Sequence, residues 1–225
     1  MEIINSEHPS STTLRLLHNL ASLRSGLLTG GYVARYHRPD LPLRASHIPG
    51  MLYDIGLGVI NMETTFENLV GIIFEEIIPK LENNKGVAIF AKERAKFEGW
   101  LKVELCGSLS KYFPNVTPEK NRIDIAFDNW AIELKTVNTN YRHENVKNKR
   151  RPITKNIQGV INDIEKLKFT NYTNKAILFI VFPLTHNNEN WQIHLIKISR
   201  LLKDIKHKEF KFKNNVSGVI YFGLL

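Results

Sequence analysis

Cysteine is almost missing from this chain of 225 residues: Cys106 stands alone. No disulfide framework can form, and a reducing compartment suits such a chain. No apolar run is long enough to span a bilayer, and the N-terminus lacks the basic segment and hydrophobic core of a secretion signal. These absences lead to the expectation of an unprocessed, cytoplasmic protein with no membrane association. There is no internal repeat and no low-complexity tract, no Cys/His spacing suits zinc, and Gly56-Leu57-Gly58 is too short for a phosphate loop. Acidic side chains are the scarcer charge, 22 against 31 Lys and Arg, which leaves a formal +9. That balance favours a polyanionic partner. The apolar fraction of 43% is ordinary for a globular fold, and the length allows one domain or a domain with an appendage.

Over residues 10–28, Leu16, Leu17, Leu20, Leu23, Leu27 and Leu28 recur at helical spacing behind a Ser10, Ser11 or Thr12 cap, and Gly30-Gly31 ends the pattern. Pro39, Pro42 and Pro49 then break up residues 32–58. A second helix is expected over 65–81, and the polar run at 82–86 reads as a boundary. Further on, the spacing predicts a short strand over 86–90 and a helix over 93–112 carrying Phe97, Leu101, Leu105 and Leu109. Two short strands near 122–137 follow, then a polar loop from 138 to 152 and a helix over 153–169. Residues 175–184 are apolar on both faces and read as a central, covered strand. Alternation predicts a neighbouring strand over 191–198, followed by a short helix near 199–205 and a last strand over 216–225. The basic run at 206–213 reads as a solvated strand or turn. The strand, helix, strand order implies a mixed sheet flanked by helices.

Chemistry concentrates in the two short strands. Ile123, Ile125 and Phe127 share one face of the first, and Ile132 and Leu134 share one face of the second, with polar residues opposite. Asp128 and Asn129 between them tolerate positive φ and suit a tight turn. A turn closed there sets Phe127 against Trp130, Ala126 against Ala131 and Asp124 against Glu133. Opposed residues in an antiparallel pair have Cβ atoms roughly 4.5 to 5.5 Å apart. Two carboxylates that close drive one another toward protonation unless a cation lies between them. Lys135 projects from the same face as Glu133. A hard divalent cation accepts two or three such carboxylates, and the Leu134 carbonyl is a further candidate ligand. The plainer alternative is a surface hairpin whose charges form an exposed cross-strand pair worth under ~1 kcal/mol.

These residues and the order of elements over 86–198 resemble the PD-(D/E)xK nuclease superfamily, with its restriction-endonuclease-like fold. Asp124 matches the family's carboxylate on the second core strand, and Glu133-Leu134-Lys135 matches its (D/E)-x-K on the third. Ile123 stands where the family's name has proline. The resemblance implies an α/β (α+β mixed sheet) fold with an αβββαβ core over 85–225 and a mainly helical N-terminal region over 1–84, used for dimerisation or DNA contact. It implies Mg²⁺, replaceable by Mn²⁺, held by Asp124, Glu133 and the Leu134 carbonyl, with Lys135 as catalytic lysine. Many members add a glutamate from the preceding helix. Glu98 is the first candidate for this catalytic and metal-binding role, Glu104 the second, and Glu119 a third possible ligand. The implied activity is endonucleolytic hydrolysis of double-stranded DNA, most naturally in restriction or defence, by a homodimer. A repair, junction or RNA nuclease, or a non-cleaving nucleic-acid-binding protein of the same fold, is the alternative.

Beside this motif, Asn138, Asn140, Tyr141, Arg142, His143, Lys147, Lys149, Arg150 and Arg151 form a basic loop with an aromatic. Such a loop is suited to clamp backbone phosphates, although a mobile, soluble loop has the same composition. Lys155 and Gln158 begin the following helix and are candidates for the same cleft. Arg35, Tyr36, His37, Arg38, Arg44 and His47 form a further basic stretch near the N-terminus.

Overall fold

The computed structural model describes residues 64–148 and 152–225. The expected helix at 10–28, the basic stretch at 35–47, and Lys149, Arg150 and Arg151 lie outside the described residues. Thr65 begins the first helix, its hydroxyl accepting from the Asn68 amide at 3.3 Å. This helix, α1 (Phe66–Asn83), turns Leu69, Ile73, Ile77 and Leu81 inward at intervals of four. Asn84 ends α1 and caps α2 (Lys85–Glu93), where its side chain accepts from the Val87 amide at 3.0 Å.

The strand expected over 86–90 is therefore part of a helix. Val87, Ala88 and Ala91 pack inward at helical spacing while Ile89 and Phe90 stay exposed, and a short apolar run alone does not separate the two conformations. Arg94, at φ 52°, ends α2 in the left-handed region and divides the helix expected over 93–112. Its second part is α3 (Glu98–Leu109), with Leu101, Leu105 and Leu109 buried.

Then come β1 (Thr117–Pro118), a 3₁₀ turn (Lys120–Arg122), β2 (Ile125–Phe127), β3 (Trp130–Asn138), α4 (Ile153–Lys168) and β4 (Asn174–Phe182). The chain continues through α5 (Glu189–Ser199), β5 (Asp204–Lys211) and β6 (Ser217–Leu224). Helix α5 replaces the strand expected over 191–198. Trp191, Ile193 and Leu195 alternate, but the buried set is Trp191, Leu195 and Ile198, and Ile193 is 59% exposed. Asn188 decides the conformation locally by accepting from the Trp191 amide at 3.1 Å. The short helix expected near 199–205 gives way to a turn and the start of β5.

The strands form one six-stranded mixed sheet in the order β1-β2-β3-β4-β6-β5. Only β3 and β4 run parallel, and α4 is the crossover between them. One apolar layer joins α1, α2 and α3 to Ile132, Leu134, Leu178, Ile180 and Phe222. The other joins α4 and α5 to Val137, Ile177, Phe179, Val181 and Tyr221. Strand β4 is thus covered on both faces, which accounts for its unbroken apolar sequence. The described part is a mixed α/β structure with five helices.

The chain divides into one unit ending at Gly58 and another beginning at Val59. Helix α1 packs in the same apolar layer as α3 and the sheet, so it belongs with the residues that follow it. No helix among the described residues is long and apolar enough to cross a membrane.

Candidate active site

The hairpin closes where the sequence placed its turn. Asp128 takes φ 45°, and the register is Phe127↔Trp130, Ala126↔Ala131 and Ile125↔Ile132. The ladder ends there. Glu119, Asn121 and Arg122 all have positive φ, at 56°, 54° and 66°, and the tight turn they build draws the chain away from β3 just before Asp124.

Carboxylates take over the edge of β3 that β2 leaves. Asp124 Oδ2 accepts from the Leu134 amide at 2.9 Å. Glu98 Oε1, from α3, accepts from the Thr136 amide at 2.9 Å. Both amides point toward the missing strand because residues two apart share a hydrogen-bonding edge, so each carboxylate satisfies a donor that would otherwise lack a partner. The Leu134 carbonyl lies on that same edge.

Glu133 and Lys135 project toward α4. The Glu133 side chain is 4% exposed, and Lys166 Nζ lies 2.6 Å from its Oε1. Lys166 Nζ also donates to the Arg122 carbonyl at 2.6 Å, tying the turn before Asp124 to the same group. Lys135 Nζ lies 2.6 Å from Asp163 Oδ2 on α4. Asp124 has its own cation: Lys102 Nζ, from α3, lies 2.8 Å from Oδ1 and 2.8 Å from Glu119 Oε1.

The electrostatics follow from this crowding. Burial, then the adjacent Asp124, pushes the Glu133 pKa up to about 7, with Lys166 opposing. Burial works against the Asp124 charge as well, but hydrogen bonds from Glu133, Lys102 and the Leu134 amide outweigh it and hold its pKa below the usual value. The two carboxyl groups thus titrate as a pair, with protonation favoured at Glu133 and disfavoured at Asp124. Burial disfavours the Lys135 ammonium, yet Asp163 first, then Glu98 and Asp124, raise its pKa. Lys135 is therefore a held positive charge, suited to stabilise anionic oxygens or orient a nucleophile and unsuited to act as a neutral base.

This donor set fits a Mg²⁺-like cation, which needs only one or two carboxylates and keeps several waters. Asp124, Glu133 and the Leu134 carbonyl are the groups that would hold it. Among the described residues no three His, Cys, Asp or Glu side chains converge on one such position, and Glu98 is occupied by the Thr136 amide and hydroxyl.

No family model, curated protein or solved structure matches the chain.

Of the sequence candidates, Asp124, Glu133, Leu134, Lys135 and Glu98 gather along this edge of β3. Glu104 does not: it pairs with Lys80 at 2.9 Å and bridges α3 to α1. The Glu119 carboxylate meets the site through Lys102, its side chain is 75% exposed, and its amide donates to the Asp124 carbonyl at 3.0 Å.

The loop after β3 is organised by Arg94, which is 1% exposed. Its Nε donates to the Lys147 carbonyl at 2.8 Å, and its Nη1 and Nη2 donate to the carbonyls of Thr139 and Tyr141. Arg142, Lys147 and Lys155 are exposed, although Lys147 is paired with Glu93 at 2.7 Å. Gln158 is engaged with Asn162 at 2.9 Å. Tyr141 packs against the second apolar layer. Its hydroxyl is buried with no partner among the described residues.

Sequence reasoning missed Lys102, Asp163 and Lys166 as parts of the site. Helical spacing held a signal for each: Lys102 lies one turn beyond Glu98 on α3, and Asp163 and Lys166 lie one turn apart on α4.

Proposed function

We propose that this chain is a Mg²⁺-dependent endonuclease of restriction-endonuclease-like fold that hydrolyses phosphodiester bonds in double-stranded DNA. The observation that carries the reading is that, where β2 parts from β3, Asp124 binds the Leu134 amide at 2.9 Å, between Glu133 and a Lys135 ammonium fixed by Asp163. The order α3, β1, β2, β3, α4, β4 supports the fold assignment, and the formal charge of +9 supports a nucleic-acid partner. When bound, a divalent cation supplies charge neutralisation at the scissile phosphate and a more acidic attacking water.

The chain's own residues do the rest. Asp124, Glu133 and the Leu134 carbonyl would hold that cation, and Asp124 also binds the Leu134 amide of β3 at 2.9 Å. Lys135 donates to a non-bridging phosphate oxygen as negative charge accumulates there. Arg142, Lys147 and Lys155 supply exposed positive charge for backbone phosphates. Restriction within a cytoplasmic defence system is the biology assigned first, and cleavage of both strands calls for a homodimer with two sites.

A second reading, a DNA-binding protein that does not cut, is favoured by one observation: Lys102 and Lys166 already neutralise Asp124 and Glu133. Plasmid DNA incubated with the protein and Mg²⁺ or Mn²⁺ separates the two. The nuclease reading expects nicked or linear product, lost in Lys135→Ala and Asp124→Ala while DNA binding persists. Binding by the wild type with no cleavage under either metal defeats it.

A further inference from the structure

We propose, building on the nuclease reading, that Asp163 is the positioning residue of Lys135, so that α4 and not the hairpin sets where the ammonium sits. Gly159, Asp163 and Lys166 fall at i, i+4 and i+7, on one flank of α4 beside its apolar stripe of Ile157, Val160, Ile164 and Leu167. Each of the three meets the site. A Cβ at Gly159 would lie 3.6 Å from Lys135 Cε, so the α4 backbone packs directly along the lysine stem. Asp163 Oδ2 lies 2.6 Å from Lys135 Nζ and has no hydrogen-bond partner beyond that ion pair among the described residues. Lys166 lies 2.6 Å from Glu133 Oε1.

The pairing is crossed, and that is what gives Asp163 its role. Lys135 and Glu133 share a strand face, so the simplest ion pair would join them. Lys166 takes Glu133 instead, and Lys135 is left to Asp163. The Lys135 and Asp163 side chains are only 20% and 19% exposed. Withdrawing two charges from water offsets most of what their attraction returns, and an apolar pair would fasten α4 to β3 at least as well. What an apolar pair cannot supply is a fixed ammonium on the strand face that carries Glu133. Asp163 touches no reacting atom; it acts through Lys135.

Steady-state cleavage, thermal unfolding and competitive acetylation of Lys135, read by mass spectrometry, test this on the full chain. Asp163→Asn is expected to lower kcat about tenfold to a hundredfold, the scale of a misplaced catalytic group, with KM and Tm nearly unchanged and acetylation of Lys135 increased. Asp163→Glu, which keeps the charge, should recover part of kcat, and it serves as the test variant if Asp163→Asn does not fold. An unchanged kcat overturns the proposal. So does a kcat loss that follows the loss of Tm with Lys135 acetylation unaltered. If the wild type proves not to cleave, the nuclease reading falls by itself; increased acetylation of Lys135 in Asp163→Asn then upholds the positioning contact, and unaltered acetylation overturns it.

Discussion

Replacing Arg94 by methionine is expected to destabilise the protein by about 3–5 kcal/mol, because it leaves three carbonyls without their charge-assisted donor. Three bonds from one guanidinium reach the carbonyls of Thr139, Tyr141 and Lys147. Charge-assisted bonds contribute about 1.5–3 kcal/mol each, so their sum is an upper bound. Two effects reduce it. Removing the guanidinium also removes the unfavourable burial that lowers its pKa, and the loop segments holding Tyr141 and Lys147 are open enough for water to replace the lost donors. Thr139 is fully buried, so its carbonyl has no such replacement. Urea denaturation followed by circular dichroism reads the effect: at an m of about 2 kcal/mol/M the midpoint falls by about 1.5–2.5 M. Arg94→Lys should recover little, because one ammonium cannot span three carbonyls held by a planar fork. Stability within about 1 kcal/mol of wild type for both variants would refute the reasoning, since the loop would then hold its place without the guanidinium.

Two glycines on β6 should respond in the opposite order to their contact distances. A Cβ at Gly218 meets Phe210 Cζ at 2.6 Å, and that ring is 4% exposed and wedged, so Gly218→Ala should lower stability by about 1–3 kcal/mol. At Gly223 the clash is with the tip of Leu202 at 2.5 Å, a partly exposed and flexible side chain, so Gly223→Ala should cost under about 1 kcal/mol in the same denaturation assay. Tyr221→Phe removes the acceptor of the buried Trp191 Nε1–H at 2.7 Å and should lower stability by about 1–3 kcal/mol in calorimetry. Partial desolvation first, then the stacked His186 ring, lowers the pKa of the otherwise exposed His207. Its contribution is therefore complete above the unfolded value of about 6.5 and is lost as pH falls through the lower folded pKa. His207→Gln should flatten the profile of Tm against pH just below about 6.5, and an unchanged slope would contradict this.

The parts of the fold legible in the sequence are those where one periodicity had no rival. Helix α4 has a single apolar stripe, β4 is apolar throughout, and both lie within a residue or two of their expected bounds at the start. Where two periods coincided, local capping decided. Residues 86–90 and 191–198 each carry apolar residues that a strand or a helix would accept, and in both cases an asparagine just before the segment satisfies an amide of the first turn. The cap was written in the sequence but outweighed by alternation. Nor did the polar run at 82–86 mark a domain boundary. It is a helix-to-helix corner, Asn84, inside one packed layer.

The site divides along the same line between local and distant information. A turn at Asp128-Asn129 fixes the register of its own hairpin, so the approach of Asp124 to Glu133 followed from five residues on either side. Which cation meets which carboxylate did not, because it depends on helices brought in by the sheet. Lys102 reaches Asp124 from α3, and Lys166 and Asp163 reach the hairpin from α4, across separations in sequence that no motif spans. An isolated hairpin would have left these charges exposed and weakly paired. Helices on both faces bury them instead, so that Glu133 is pushed toward protonation and Lys135 is held as a cation. The charge state of the same three residues is thus set by what the two helices place beside them.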